Sequence, residues 1–157
     1  MKIGILSDTH DNLTKIEHAI KFFNKNKVDF VFHAGDFVAP FAVLKLKNLE
    51  ANWAGVYGNN DGEKNGLFVT SEGKIKDGPR RIELEGKKIV LTHELNKINP
   101  DVEEAQIIIF GHTHKAEIRN LGEKILINPG ECGAWLYGKS TIAILDLENL
   151  SAKIHDL

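Results

Sequence analysis

Five short polar clusters in the sequence contain side chains of the types that bind divalent metal ions. Each cluster directly follows an apolar run that predicts a β-strand. In chain order the clusters are Asp8-Thr9-His10, His33-Ala34-Gly35-Asp36, Gly58-Asn59-Asn60-Asp61, Thr92-His93-Glu94 and Gly111-His112-Thr113-His114. Residues just past the carboxyl ends of strands line the ligand crevice of an open α/β sheet. We therefore expect the five clusters to meet at one rim.

The spacing within two clusters suggests that their ligands act in pairs. In an extended chain, residues i and i+2 point the same way, which predicts that Asp8 and His10 enter one site together. The same argument applies to His112 and His114. Glycine lets the backbone turn tightly and approach an ion closely. Three glycines directly precede a candidate ligand: Gly35, Gly58 and Gly111.

The candidate donors are four imidazoles, two carboxylates and one carboxamide. They belong to Asp8, His10, Asp36, Asn59, His93, His112 and His114. This set is too large for one tetrahedral ion, whereas two ions sharing a carboxylate accommodate it. Mixed oxygen and nitrogen donors suit Mn²⁺ or Fe²⁺, and Zn²⁺, Ni²⁺ and Co²⁺ are compatible. We expect two divalent ions, with Mn²⁺ the first choice, and no cysteine-rich structural zinc site.

The first half of the chain predicts alternating strands and helices. Residues 3–7, 29–33 and 52–57 are strand-like runs. Asp11 or Asn12 can cap a helix whose apolar face includes Leu13, Ile16, Ile20 and Phe23. Pro40 suits the first turn of a second helix. This order predicts a sheet with parallel strands and helices on its face.

The second half predicts mostly antiparallel strands. Residues 80–85 and 88–93 flank Gly86 as a hairpin, and residues 116–120 with 124–128, and 141–147 with 151–157, form two more. Residues 106–110 predict a buried strand. The expected fold is α/β: a two-sheet β-sandwich flanked by helices.

Length and composition predict one ordinary globular domain over residues 1–157, with 42% hydrophobic and 27% charged residues. The net charge of −2 argues against a strong electrostatic footprint for nucleic acid or anionic membrane. No apolar run reaches the ~18 residues of a membrane span, and the N-terminus lacks the features of a signal peptide. The single cysteine, Cys132, fits a reducing setting. We expect a soluble, cytoplasmic protein.

The ordered motifs resemble the calcineurin-like metallophosphoesterase superfamily. They are Asp8-x-His10, Gly35-Asp36, Gly58-Asn59-x-Asp61, His93 and Gly111-His112-x-His114. The resemblance runs from residue 3 to about residue 131, and the short length resembles the superfamily's small stand-alone phosphodiesterases. It implies a two-sheet sandwich flanked by helices. It also implies one ion at Asp8, His10, Asp36 and His114, and a second at Asp36, Asn59, His93 and His112, with Asp36 bridging.

The resemblance implies hydrolysis of a small phosphodiester by a hydroxide that bridges the two ions. The charges of Asp8, Asp36, two divalent ions and one hydroxide sum to a single positive charge, which complements a phosphodiester. Metal coordination lowers the pKa of water from 15.7 to about 7. We expect the catalytic residues to be Asp36, Asn59, Asn60 and Asp61.

Asn60 departs from the superfamily pattern, in which a histidine helps to hold the phosphate and protonates the leaving group. A carboxamide donates a hydrogen bond but supplies no proton. General acid catalysis is typically worth about 10²–10⁴-fold. We therefore hypothesise a preference for good leaving groups such as aryl alcohols. Asp61 would orient Asn60 or serve only as a turn residue.

Several neighbouring residues are open to two interpretations. Glu94 is an extra ligand or support, or simply a solvated side chain. His33 orients Asp36 or is a buried strand-end histidine. Asn128 contacts a ligand or its support, and Glu131 stands where the superfamily has a small polar residue.

The aromatic stretch at residues 133–138, with Trp135 and Tyr137, is open to three interpretations. It packs within the protein, forms a lip for substrate, or joins the subunits of a homo-oligomer.

Three other functions compete with a phosphodiesterase. The superfamily includes a retromer subunit that uses this fold to bind proteins, but loss of metal ligands marks such cases and only Asn60 points that way here. A nuclease would need a basic stripe, and Lys25 and Lys27 form only a small cluster. The third competing function is that of a phosphomonoesterase.

Overall fold

Two β-sheets contain the eleven strands of the protein, and the computed structural model describes residues 1–157. In chain order the elements are β1 (Lys2–Leu6), α1 (Leu13–Lys25), β2 (Phe30–His33), α2 (Pro40–Lys45), β3 (Asn52–Val56), α3 (Lys64–Thr70), β4 (Ile75–Lys76), β5 (Arg80–Leu84), β6 (Lys87–Leu91), β7 (Ile107–Ile109), β8 (Glu117–Leu121), β9 (Lys124–Asn128), β10 (Thr141–Asp146) and β11 (Ser151–Asp156). The predicted fold class, an α/β two-sheet sandwich flanked by helices, is confirmed.

The six-stranded sheet has the order β11-β10-β1-β2-β3-β4, and the five-stranded sheet has the order β5-β6-β7-β9-β8. Strands β1 to β4 pair in parallel, while β10 and β11 extend that sheet antiparallel. In the second sheet, β7 pairs in parallel with both β6 and β9. The expectation of mostly antiparallel strands holds for the hairpins but not for this central strand.

One of two large hydrophobic cores lies between the sheets. Alternate residues of β1, Ile3 and Ile5, are buried there in one cluster with Ile107 and Ile109 of β7. This period of two buries one face of each strand against the other sheet.

The helices cover the outer face of the six-stranded sheet. Helix α1 buries Ile16, Ala19, Ile20 and Phe23 at the predicted spacing. These side chains pack in one cluster with residues of the sheet, such as Val31. The side-chain oxygen of Asn12 accepts the Lys15 N–H, which confirms Asn12 as the cap. Asp11 instead accepts the N–H of Ala39 at the start of α2.

The outer face of the five-stranded sheet is covered differently. Ile108, Phe110 and Leu126 are buried there beneath Leu95, the first residue of a short 3₁₀ turn (Leu95–Lys97), and Ile98, which follows it. None of the helices is long and apolar enough to cross a membrane.

Two elements were not expected from the sequence, α3 and β4. Helix α3 contains one buried residue, Leu67, while Phe68 and Val69 on the same helix are exposed, so it lacks an apolar period. Strand β4 has two residues. The helix that begins at Pro40 ends at Lys45 and continues as a 3₁₀ turn, Leu46–Asn48.

Candidate metal centre

The carboxyl ends of five strands place the polar clusters at one rim of the sandwich. Strands β1, β2 and β3 run parallel in one sheet, and β6 and β7 run parallel in the other. The segments after these strands carry all the predicted donors. The structure brings the seven side chains together as two overlapping groups.

The first group consists of Asp8, His10, Asp36 and His114, whose potential ligand atoms all lie within 4.8 Å of one another. His10 Nε2 is 3.4 Å from Asp36 Oδ2. His114 Nε2 is 3.5 Å from Asp8 Oδ1. Both carboxylates are buried, so their charges lie close together with little solvent to screen them.

The second group is centred on the side-chain oxygen of Asn59. This oxygen lies 2.9 Å from His93 Nε2 and 2.9 Å from His112 Nδ1. His93 Nε2 is also 3.5 Å from Asp36 Oδ2. Asp36 therefore contacts members of both groups and is the one carboxylate that they can share.

Unpaired polar atoms in the first group fit a bound cation. Asp8 Oδ1 and His10 Nε2 are buried and have no hydrogen-bond partner. Buried polar atoms without partners are rare because each carries an uncompensated desolvation cost. The two atoms lie 4.0 Å apart. A divalent ion coordinated by both would satisfy them.

The tautomer of His93 fits a cation in the second group. Its Nδ1 lies 2.8 Å from the carbonyl oxygen of Ala34, which can only accept, so Nδ1 carries a proton. In the neutral ring, Nε2 then presents a lone pair toward the oxygen of Asn59. Burial alone would lower the pKa of His93, but the close contact with the Asp36 carboxylate and its negative charge outweigh burial and raise that pKa. A cation would therefore compete with a proton here.

Asn60 donates twice to the shared carboxylate. Its backbone N–H reaches Asp36 Oδ1 and its side-chain amide reaches Asp36 Oδ2, each at 2.8 Å. Burial raises the pKa of Asp36, but the close contact with a charged His93 ring and the hydrogen bonds from Asn60 outweigh burial and hold that pKa well below its usual range. Burial raises the pKa of Asp8.

The backbone at the ligands is not extended, contrary to the spacing argument. Positive φ angles occur at five of the predicted ligands: Asp8 (54°), His10 (40°), Asp36 (60°), His112 (68°) and His114 (60°). Each such conformation costs of order 1–3 kcal/mol and persists only where the surroundings enforce it. Asp8 and His10 do share a group, but His112 and His114 diverge into different groups. The extended-chain premise fails for both pairs, because the chain turns at these residues, but His112 and His114 do reach the same rim, one in each group.

Asp61 holds together the two turns that carry Asp36 and Asn59. Its carboxylate accepts the backbone N–H groups of Asp36, Val38 and Gly58 at 3.0, 2.8 and 2.7 Å. It is buried, and burial raises its pKa. The contacts favour a clamp between the turns after β2 and β3. They do not include a side-chain hydrogen bond to Asn60.

Close backbone approach explains all three glycines. Gly35 has a φ of 102°, and a Cβ there would lie 2.6 Å from His93 Nδ1. A Cβ on Gly58 would lie 2.1 Å from Asp36 Oδ1, and one on Gly111 would lie 2.0 Å from Ser7 Oγ. Any larger residue at either position would displace the carboxylate or the loop beside it.

His33 is a buried strand-end histidine, the second of its two interpretations. Its Nδ1 accepts the Gly35 N–H, and its Nε2 lies 3.1 Å from Thr9 Oγ1. Burial lowers its pKa to about 3, so the ring is neutral. It makes no hydrogen bond to the Asp36 carboxylate and instead joins the loops after β1 and β2.

Strand β9 adds a sixth segment to the rim. Asn128 at its end donates to the carbonyl oxygen of Gly111 and to Thr113 Oγ1, so it supports the loop that carries two histidines. Beyond it, Glu131 is buried with Oε1 3.3 Å from His114 Nδ1. From the sequence, Glu131 was noticed only as an acid at an unusual position after Asn-Pro-Gly. Because β9 runs parallel to β7, its carboxyl end lies at the same rim, and knowing this pairing would have placed Glu131 there.

Glu94 makes no contact with the donor groups. Its carboxylate lies 3.6 Å from Lys97 Nζ, and it lines a cleft of about 330 Å³ that also reaches Asn59 and His93. Of the interpretations open from the sequence, the solvated side chain fits best.

The fold and rim together define a metallophosphoesterase: two mixed sheets flanked by helices, with carboxylate, imidazole and carboxamide donors at one edge. The profile of the calcineurin-like phosphoesterase superfamily domain matches residues 1–150, and the chain belongs to this superfamily. It is therefore a phosphoric ester hydrolase by family, and the superfamily implies divalent metal ions.

The chain is similar to proteins named as phosphodiesterases and, in its fold, to a vacuolar protein sorting protein. A phosphodiesterase of Methanocaldococcus jannaschii is 40% identical over 156 residues, covering 94% of each chain. A solved archaeal phosphodiesterase superimposes with a TM-score of 0.92 at 38% identity over 100% of both chains. Vacuolar Protein Sorting 29 of Cryptosporidium parvum gives a TM-score of 0.68 at 16% identity over 99% and 96% of the chains, which shows the fold alone.

Proposed function

We propose that residues 1–157 act as one catalytic domain, a metal-dependent phosphodiesterase that hydrolyses small phosphodiesters. The observation that carries the proposal is the convergence of seven donors into two groups that share Asp36. Buried unpaired atoms in the first group add to this support, because a cation would satisfy them. The 40% identical relative is named a phosphodiesterase, which favours diesters over monoesters.

Each group would hold one divalent ion. Asp8, His10, Asp36 and His114 would hold the first, and Asp36, Asn59, His93 and His112 the second. Two such ions would supply hydroxide near neutral pH and withdraw electron density from the phosphoryl oxygens. Mn²⁺ is the first choice, and Fe²⁺, Ni²⁺, Co²⁺ and Zn²⁺ also fit mixed oxygen and nitrogen donors.

The chain's own residues would prepare the site before substrate arrives. The Ala34 carbonyl fixes the tautomer of His93 so that Nε2 faces the rim. Asn60 keeps Asp36 ionised by donating to both of its oxygens. Asp61 clamps the turns that carry Asp36 and Asn59.

Position 60 is occupied by asparagine and not by a histidine that could act as a general acid. The Asn60 amide cannot protonate a leaving group, and its Nδ2 is directed at Asp36. We therefore propose that diesters with good leaving groups, such as aryl diesters, are the preferred class.

A metal-by-substrate activity matrix tests the proposal. Chelated protein is reconstituted with each of the five metals and assayed on mono- and diesters with matched leaving groups. We expect Mn²⁺-stimulated hydrolysis of aryl diesters and weaker hydrolysis of the matched monoester. The Asp36→Ala variant should lose the metal-stimulated rate, whereas Asp101→Ala, in an exposed loop, should keep it.

Two results would count against it. Equal or greater activity on monoesters would indicate a phosphomonoesterase. A folded wild-type protein with no activity under any metal would favour the protein-binding scaffold, which uses the same fold without catalysis.

The Asn60→His variant tests the leaving-group argument. Restoring a proton donor should raise the rate on alkyl diesters about 10²-fold or more and change the rate on aryl diesters much less. A variant with no gain on alkyl leaving groups would refute the argument about position 60.

The proposed setting is a reducing cytoplasm, because Cys132 is a free, buried thiol.

A further inference from the structure

Glu131 is a buried carboxylate that holds the backbone of the aromatic segment, residues 135–137. It is 1% exposed. Its Oε1 accepts the N–H groups of Trp135 at 2.7 Å and Leu136 at 3.0 Å. Its Oε2 accepts the N–H of Leu136 at 3.0 Å and that of Tyr137 at 3.4 Å. A buried acid with these contacts has a fixed position, since any movement would break several hydrogen bonds.

The same carboxylate faces a member of the first donor group. Glu131 Oε1 is 3.3 Å from His114 Nδ1, while Nε2 on the other side of that ring lies 3.5 Å from Asp8 Oδ1. The Nδ1 contact is short but not aligned as a hydrogen bond, so this buried nitrogen has no partner. Glu131 is the carboxylate within reach of it.

The aromatic segment also contacts the first donor group directly. The indole N–H of Trp135 donates to the carbonyl oxygen of His10 at 3.0 Å. The backbone N–H of Gly133 donates to the carbonyl oxygen of Asp8 at 3.0 Å. Trp135 is 66% exposed despite these contacts. Glu131 thus contacts His114 on one side and, on the other, the segment whose Trp135 contacts His10.

We propose that Glu131 is a positioning residue for the ion of the first group. With that ion bound, the Glu131 carboxylate would accept the Nδ1 proton of His114, so that Nε2 presents its lone pair to the ion held with Asp8. Glu131 also keeps Trp135 against His10. The inference rests on the proposed metal site. Carboxylates that hold the outer nitrogen of a ligating histidine fix its tautomer and raise its basicity, and losing one typically costs 10–100-fold in metal affinity.

The inference predicts an effect on one ion and not on the other. His114 belongs to the first group, whereas the second group is formed by Asp36, Asn59, His93 and His112. Glu131 contacts none of the histidines in the second group. A residue that merely supported the fold would weaken both ions alike or neither.

Isothermal titration with Mn²⁺ tests this selectivity. The Glu131→Gln variant should bind one of two ions about 10–100-fold more weakly and the other as the wild type does. Glu104→Gln, at an exposed residue paired with Lys88, is the control and should match the wild type. Unchanged affinity for both ions in Glu131→Gln, or an equal loss for both, would overturn the inference.

A double-mutant cycle separates positioning from general support. If Glu131 acts through the imidazole, Glu131→Gln should change Mn²⁺ affinity no further once His114→Ala has been made. Additive losses in the double variant would overturn the proposed route through His114.

The emission of Trp135 provides a spectroscopic readout. In a Trp53→Phe background Trp135 is the only tryptophan, because the sequence contains two. Mn²⁺ should quench its emission with the midpoint of the first-group ion, and Glu131→Gln should move that midpoint by the same 10–100-fold. A midpoint that does not move would contradict the link between Glu131 and this ion.

A measurement on the unmodified chain covers the case in which Glu131→Gln fails to fold. In ¹⁵N-labelled, Zn²⁺-loaded protein, His114 should carry its proton on Nδ1, and that proton should exchange with water more slowly than the ring protons of exposed His18. A deprotonated Nδ1, or exchange as fast as at His18, would overturn the inference. If the wild type binds no metal at all, the proposed metal site itself fails; if it binds two ions and only the Glu131 results are negative, this inference alone fails.

Discussion

Replacing Asp61 by alanine should destabilise the protein, because this carboxylate serves as a clamp. It is 3% exposed and accepts three backbone N–H groups, from Asp36, Val38 and Gly58. The variant would leave those three backbone N–H groups without partners, at the point where the turns carrying Asp36 and Asn59 meet. The sequence grouped Asp61 with the catalytic residues, and a purely catalytic role would affect turnover without affecting folding.

The size of the effect follows from the contacts. A buried donor left unsatisfied costs ~1–3 kcal/mol. Burial raises the pKa of Asp61, so removing its charge also relieves a desolvation penalty, and the lower end of that range applies. Three donors then give a loss of about 3 kcal/mol in the free energy of unfolding. For a chain of this size, 1 kcal/mol shifts Tm by ~2–4 °C, so Tm should fall by ~6–12 °C.

Thermal and urea unfolding in the presence of a chelator measure this loss without a contribution from bound metal. Asp77→Ala is the matched control, because Asp77 is exposed and its pair with Lys64 is a surface salt bridge worth at most ~1 kcal/mol. A Tm within about 2 °C of wild type, together with a large loss of turnover, would refute the clamp and restore a catalytic role for Asp61.

Three further predictions follow from burial and close packing. Gly58→Ala should lose ~1–3 kcal/mol of stability, because its Cβ would meet Asp36 at 2.1 Å, whereas Gly62→Ala, with open space around it, should not; equal unfolding midpoints would contradict this. Burial raises the pKa of Cys132 to about 12, so at pH ~8 iodoacetamide should modify the thiol only after urea unfolding; rapid labelling of native protein would be inconsistent with that burial. Burial lowers the pKa of His33 from 6.5 to about 3, so the unfolded chain binds the extra proton between these values. Stability of chelated protein should therefore be full above pH ~6.5 and fall below it by up to ~1.4 kcal/mol per pH unit, and His33→Gln, but not His18→Gln at an exposed position, should flatten the slope.

Local sequence pattern was enough to predict most of the strands and the donors that follow them. The apolar run of β1 and the glycine-centred hairpin of β5 and β6 depend only on residues close together in the sequence, so a local pattern predicts them. The apolar face of α1 was visible for the same reason. Helix α3 was missed because it buries only Leu67, so its sequence carries no helical period.

The backbone conformation of the ligands was not predictable from spacing. His112 and His114 lie two residues apart, yet positive φ angles turn them toward different groups. These angles are unfavourable in isolation and are enforced by contacts from elsewhere in the chain, such as the hydrogen bond from the His112 N–H to Asp8 Oδ2 across 104 residues of sequence.

The amino-acid sequence by itself determined which donors this protein has and that each follows a strand, because side-chain chemistry and strand pattern are local properties. Only the tertiary structure shows that the Asp36 carboxylate lies within 3.5 Å of both His10 and His93, that Asp61 clamps two turns, and that Glu131 faces His114. These are contacts between segments far apart in the chain. They exist only once the two sheets pack and bring the carboxyl ends of their strands to a common rim.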